Sequence, residues 1–158
     1  MTLLASSPTR TRRPALVNTV IVLLAILGVG AVGGGLAMLF GVGGEAMLPD
    51  EYLDSVPMID SWILPGLVLL IGFGLGSLFT LWGMWARPRW PIAEGLERAT
   101  SHHWSWLATM VIGWSHVVWI LLEFLFIPIS FLMPTFGLVG LALALLPLTF
   151  SVRRYLAT

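Results

Sequence analysis

Four long apolar stretches, at about 15–40, 63–85, 104–127 and 134–152, constrain this chain more than any other feature, because every charged residue except Glu123 lies outside them. A helix rises 1.5 Å per residue, so about 20 apolar residues cross about 30 Å of hydrocarbon. Composition agrees: 58% of the residues are hydrophobic and 10% charged, whereas in soluble domains about a quarter are charged. The expected fold class is therefore an all-α membrane protein, a four-helix antiparallel transmembrane bundle. Residues 1–158 would form a single integral membrane domain, with one loop at 41–62, another at 86–103 and no soluble domain.

The charges set the orientation. All eight basic residues are arginines: Arg10, Arg12 and Arg13; Arg87, Arg89 and Arg98; Arg153 and Arg154. With four spans these three segments share one side, and the positive-inside rule makes that side cytoplasmic. The loop at 41–62 carries Glu45, Asp50, Glu51, Asp54 and Asp60 and no basic residue, so it is assigned to the outside. The expected location is the bacterial cytoplasmic membrane, multi-pass, with both termini cytoplasmic. The first apolar run is too long for a signal-peptide core, which spans about 7–15 residues, and reads as a retained helix.

With no cysteine in the chain, disulfides, thiolate metal sites and thiol nucleophiles are excluded. No G-x-S-x-G or comparable nucleophile context is present, so no catalytic residue is assigned and the chain is not expected to be an enzyme. Nucleic-acid binding is not expected either, since the arginines are accounted for as topology signals.

Small residues four apart lie on one helix face and let a second helix approach closely, which matters in lipid because association there depends on packing. Gly30 and Gly34, and Ala31 and Gly35, in the first span, Gly72 and Gly76 in the second, and Gly140 with Ala144 in the fourth have this spacing and are the expected helix-packing positions. Pro65 suits the first turn of the second span, where its missing N–H leaves no bond unmade. The outer loop mixes acids with apolar residues and is expected to fold over the mouth of the bundle. Its acids lack the regular ligand spacing of a calcium loop. Pro91 opens a short interfacial helix, and Thr100 or Ser101 is the expected N-cap of the third span. The segment at about 128–134 is short, making the third and fourth helices neighbours.

The third span carries the residues that most invite a functional reading. His102, Thr109, His116 and Glu123 are seven apart, so they form one stripe that drifts only about 20° per heptad. Trp114, Val118, Leu121 and Leu125 occupy the opposite face, which suits lipid, so the stripe points inward. An ionisable side chain in a span costs at least about 2.5–3.5 kcal/mol and faces the interior or a water-filled cavity. His116 and Glu123 are about 10 Å apart along the axis, too far to bond directly, and are expected to find partners on other helices or through water. His102 and His116 are about 21 Å apart and cannot be the two axial ligands of one haem. A metal site at His116 and Glu123 lacks further ligands. No cofactor and no metal are assigned. The stripe either pins helices together or serves as a relay for a proton or small solute. Glu94, Glu97, His102 and His103 form a second polar group, read as solvated interfacial charges.

The segment GGGLAMLFGVGGEAMLPDEYLDSVPMIDSWILPGLVLLIGFG resembles a pattern in small, uncharacterised bacterial four-helix integral membrane proteins. In these a glycine-rich first span is followed by an outer loop ending in the Pro-Gly that opens the second span, here Pro65 and Gly66. The resemblance covers the first half of the chain and implies a layout rather than an activity. The expected function is that of a non-enzymatic accessory or structural membrane protein. Its expected partners are the lipid bilayer and either further copies of itself or a larger membrane assembly. The alternative is a small transporter or permease-like protein using the His116 and Glu123 line.

Overall fold

A computed structural model describes residues 13–43, 49–56, 60–128 and 130–158. Arg10, Arg12 and Glu45 lie outside them, as does part of the segment 41–62. The described residues are helical, without a β-strand. In chain order they form α1 (Ala15–Phe40), α2 (Asp50–Ser55), α3 (Ile63–Ala86), α4 (Glu94–Thr100), α5 (Trp104–Phe126), α6 (Leu132–Leu145) and α7 (Phe150–Leu156). Helices α1, α3 and α5 are each long and apolar enough to cross a membrane, with mean hydropathies of 2.5, 2.0 and 1.7.

The fourth expected span differs. The apolar helix runs over Leu132–Leu148, its last turn being 3-10, and then bends by 67° into α7. Pro147 and Thr149 cause the break. Proline has no N–H to continue the ladder, and Thr149 is extended, with φ −67° and ψ 145°. The freed carbonyls are not left bare: the Trp106 indole donates to Pro147 O at 2.8 Å and the Thr149 hydroxyl to Leu146 O at 2.7 Å. Beyond the bend the chain turns back beneath the bundle. Val152 and Leu156 there are fully buried, in one cluster with Val17, Val20, Leu24, Met84 and Leu143.

Helix α3 is π-helical over Val68–Leu75. A π turn bonds i to i+5 and displaces the i, i+4 face on which the small-residue argument rests. Contact between α1 and α3 falls on Gly35 of the Ala31 and Gly35 pair, which is buried, and on Gly28, Gly66 and Gly74, but not on Gly72 and Gly76. A Cβ at Gly35 would stand 2.7 Å from Gly66 O, one at Gly28 would stand 2.8 Å from the Leu78 side chain, and one at Gly74 would stand 2.8 Å from the Val32 side chain. Gly72 is exposed with open space around it, and Gly76 meets only ordinary contacts. Between α5 and α6 a Cβ on Gly113 would lie 2.4 Å from the Ala144 backbone nitrogen, and Gly140 lies against His116.

Along α1 and α3 the contacts run from Gly28 with Leu78 to Gly35 with Gly66. Along α5 and α6 they run from Gly113 with Ala144 to Ile120 with Gly137. The start of α1, the end of α3, the start of α5 and α7 therefore meet at one end. Arg13 donates to Trp85 O at 3.1 Å, and His103 N donates to Leu156 O at 2.7 Å. All the described arginines belong to segments at this end. At the other end, α1 stops in a left-handed turn at Gly41 (φ +63°), with Val42 N donating to Ala37 O at 2.9 Å. This is a position glycine fills without strain.

Candidate functional site

The polar stripe of α5 does face inward: His102, Ser105, Thr109, Gly113 and His116 are buried, while Trp114, Val118, Leu121 and Leu125 are exposed. Its members do not form one site. His102 stacks on Trp106 with ring centroids 4.5 Å apart, and its Nδ1 bonds Thr100 O. Thr109 is wholly buried and donates to Ser105 O at 2.7 Å, a bond within its own helix. Just above it Gly113 is closed against α6. Only His116 and Glu123 share an opening.

That opening is a cleft of about 500 Å³ between α1, α3, α5 and α6, at the end away from the arginines. Gly30 and Gly34 line its α1 wall; this is where the structure places the glycine pair that the spacing assigned to helix packing. Phe136 of α6 packs over Gly30, Leu132 stands half exposed at the rim, and Tyr52 and Trp62 come from the segment leading into α3. The lining is mostly apolar. Among the described residues, Glu123 and His116 are its ionisable side chains besides Tyr52, and no described arginine lines it.

His116 is 3% exposed, and neither ring nitrogen has a hydrogen-bond partner among the described residues. A buried imidazole in that condition is costly. Phe73 meets the ring edge-on at 4.9 Å and Phe136 at 6.3 Å, so aromatic rings hold it but do not satisfy it. The π segment contributes directly, because Phe73 lies within it. Glu123 is half-buried and accepts a hydrogen bond from the Trp119 indole at 2.6 Å. Among the described residues neither finds the partner on another helix that was expected as one of two possibilities, the other being water: Glu123 meets its indole one turn back on the same helix, and His116 meets no hydrogen-bonding side chain. Trp62 Nε1, also in the lining, is a third buried polar atom without a partner.

The second polar group is divided. Glu97 accepts from Trp104 N at 3.1 Å and stands 3.7 Å from His103, capping the start of α5 from the preceding helix. His103, not Thr100 or Ser101, is the N-cap of α5. Ser101 instead ends α4 with φ +56°. His103 Nδ1 contacts Ser105 Oγ at 2.9 Å and its Nε2 lies 3.1 Å from Pro88 O. These residues hold the end of the bundle together, and His102 and Glu94 make no side-chain contact with them that would complete a site. Among the described residues no group of three side chains could hold a metal ion.

Trp119 was within reach of sequence reasoning, since it precedes Glu123 by four residues and thus shares its helix face. Phe73, Phe136 and Trp62 were not, because their positions depend on the π segment and on how α6 crosses α5. The chain matches no protein-family model, no curated protein and no solved structure.

Proposed function

We propose that this is a four-helix antiparallel integral membrane protein of the bacterial cytoplasmic membrane, with both termini cytoplasmic, that binds a small molecule in its outward cleft. The observation that carries the reading is His116, a buried imidazole with two unpartnered nitrogens lining a cleft that also exposes Glu123. A polar group whose only role is to join helices would have a partner on a neighbouring one. Convergent polar groups in an apolar recess are what a binding site presents. This moves the balance from a purely accessory role toward the permease-like alternative, with no chemistry performed on the ligand.

One observation keeps the accessory reading in view. Below His116 the stripe is closed, with Ser105 and Thr109 fully buried and Gly113 against the Ala144 backbone. Passage through the bundle would require that contact to part, so the cleft is a one-ended site in this conformation.

The absence of native cysteine allows a direct test. In liposomes, Gly34→Cys should react with a small water-soluble thiol reagent, because a side chain there has room, its Cβ lying 4.0 Å from Leu69. Ser105→Cys, in the closed half, should stay unmodified. An inert Gly34→Cys would show the cleft to be sealed in the bilayer and would end the binding reading.

A further inference from the structure

The distribution of charge around the cleft narrows what it holds. Every arginine lies in the chain termini or in the segment 86–103, and none of the described ones lies in the cleft lining. The segment 41–62, which contributes Tyr52 and Trp62, holds five acids and no base; Glu51 and Asp60 of these are exposed. Among the described lining residues the carboxyl oxygens belong to Glu123, which Trp119 touches through its hydrogen bond, and Trp62 and Phe136 add aromatic rings elsewhere in the same lining. A carboxylate among aromatic faces attracts a cation through both its charge and the ring quadrupoles. Acidic groups near a mouth raise the local concentration of cations there. The rest of the wall, including Leu27, Ala31, Ile120 and Met133, is apolar and suits a hydrophobic body. A small inorganic cation would gain little from such a wall, which offers few of the oxygen ligands it needs.

Resting on the binding reading above, we propose that the ligand is a lipophilic organic cation, an amine or onium compound whose charge sits by Glu123 and whose apolar body lies on the walls toward His116. A neutral imidazole offers one acceptor and one donor, so an amine with a second N–H at the far end of its body meets the acceptor of His116 there, while an onium compound engages the Glu123 end alone. An anion would meet Glu123 with no basic side chain to offset it. A neutral lipid chain would fill the apolar wall but leave the carboxylate and its aromatic neighbours unused.

The test is titration of the purified protein with tetraphenylphosphonium and, separately, with its near-isosteric anion tetraphenylborate. Tryptophan fluorescence reports occupancy, since Trp62 and Trp119 line the cleft. Saturable binding of the phosphonium is expected, with at least about tenfold preference over the borate and at least about tenfold loss in Glu123→Gln. That variant keeps an oxygen to accept the Trp119 N–H. Gly34→Leu, which fills the cleft from a wall with open space, should abolish binding without touching a charge. Equal affinity for both ions, phosphonium affinity unchanged in Glu123→Gln or Gly34→Leu, or no phosphonium binding would overturn the assignment. The two readings fail separately: a reactive Gly34→Cys with no phosphonium binding means a cleft for another ligand class, whereas an inert Gly34→Cys removes the cleft itself.

Discussion

At the arginine-bearing end His103 is 4% exposed and engages both ring nitrogens, with Ser105 and Pro88, while Glu97 stands beside it. Four turns along the same helix His116 is 3% exposed and engages neither. The two histidines are equally withdrawn from solvent, so burial does not distinguish them; what differs is whether the surrounding chain supplies partners. Near His103 the helices begin and end, and free backbone carbonyls such as Pro88 O are at hand. Near His116 the helices are continuous and their carbonyls are committed to their own ladders. A buried polar group in mid-helix therefore depends on side chains or on a guest molecule. Here the neighbouring side chains are Phe73 and Phe136. The aromatic residues differ in the same way: Trp90 and Trp104 stack at 5.5 Å with Phe79 against both at the closed end, while around the cleft the rings line an open volume.

The contact that separates these halves should be the hardest to alter. Gly113→Val places a side chain on the Ala144 backbone, where the nearest atom would be 2.4 Å away and cannot rotate aside. We expect a loss of at least about 3 kcal/mol, or failure to accumulate folded protein. The matching Gly34→Val in the cleft wall should cost less than about 1 kcal/mol, since a Cβ there meets only Leu69 at 4.0 Å and valine is only a modestly poorer helix former. Thermal unfolding in detergent measures both. Similar losses for the two would mean that the cleft is packed as tightly as the crossing below it.

The two histidines sharpen the comparison, because one substitution should act with opposite sign. His103→Leu removes the cap on Ser105 N and the contacts to Ser105 Oγ and Pro88 O, an expected loss of about 2–3 kcal/mol. His116→Leu removes two unpartnered polar atoms and should raise stability by about 1 kcal/mol in the unliganded protein. A destabilising His116→Leu would show that its ring nitrogens have partners in the bilayer-embedded protein.

What the sequence made legible follows from the range of the interactions involved. The apolar stretches, the inward stripe of α5 and the exposed apolar residues opposite it follow from periodicity within one helix, and these are present. The cleft required knowing which helices approach closely and where they part. The spacing of Gly30 and Gly34 and that of Ala31 and Gly35 are the same, whether a pair meets a backbone or lines a cavity: Gly35 meets the Gly66 backbone, whereas Gly30 and Gly34 border the cleft. Similarly, Pro147 was read inside a continuous span, although it and Thr149 turn the chain by 67°. His116 and Glu123 could be singled out because ionisable groups are rare in spans. That one pairs only within its helix and the other not at all depended on the three-dimensional arrangement.

The smallest expected difference lies in two indoles and tests the comparison where packing changes least. Trp106 donates to Pro147 O at 2.8 Å and secures the bend at the closed end; Trp62 Nε1 is buried beside the cleft and donates to nothing among the described residues. Replacing either by phenylalanine keeps an aromatic ring and removes the N–H. Trp106→Phe strands a carbonyl that the bend has already taken out of the helix ladder, and should lower stability by about 1–2 kcal/mol. Trp62→Phe removes a donor that makes no bond, so the gain from relieving it and the loss of ring contacts nearly offset, leaving a change within about 0.5 kcal/mol. If the cleft binds a cation as proposed, Trp62→Phe should also leave phosphonium binding within about threefold of the wild type, because the ring face is kept and a cation accepts no N–H. Loss of binding with stability unchanged would instead identify the indole N–H as the contact, and hence a ligand that offers a hydrogen-bond acceptor.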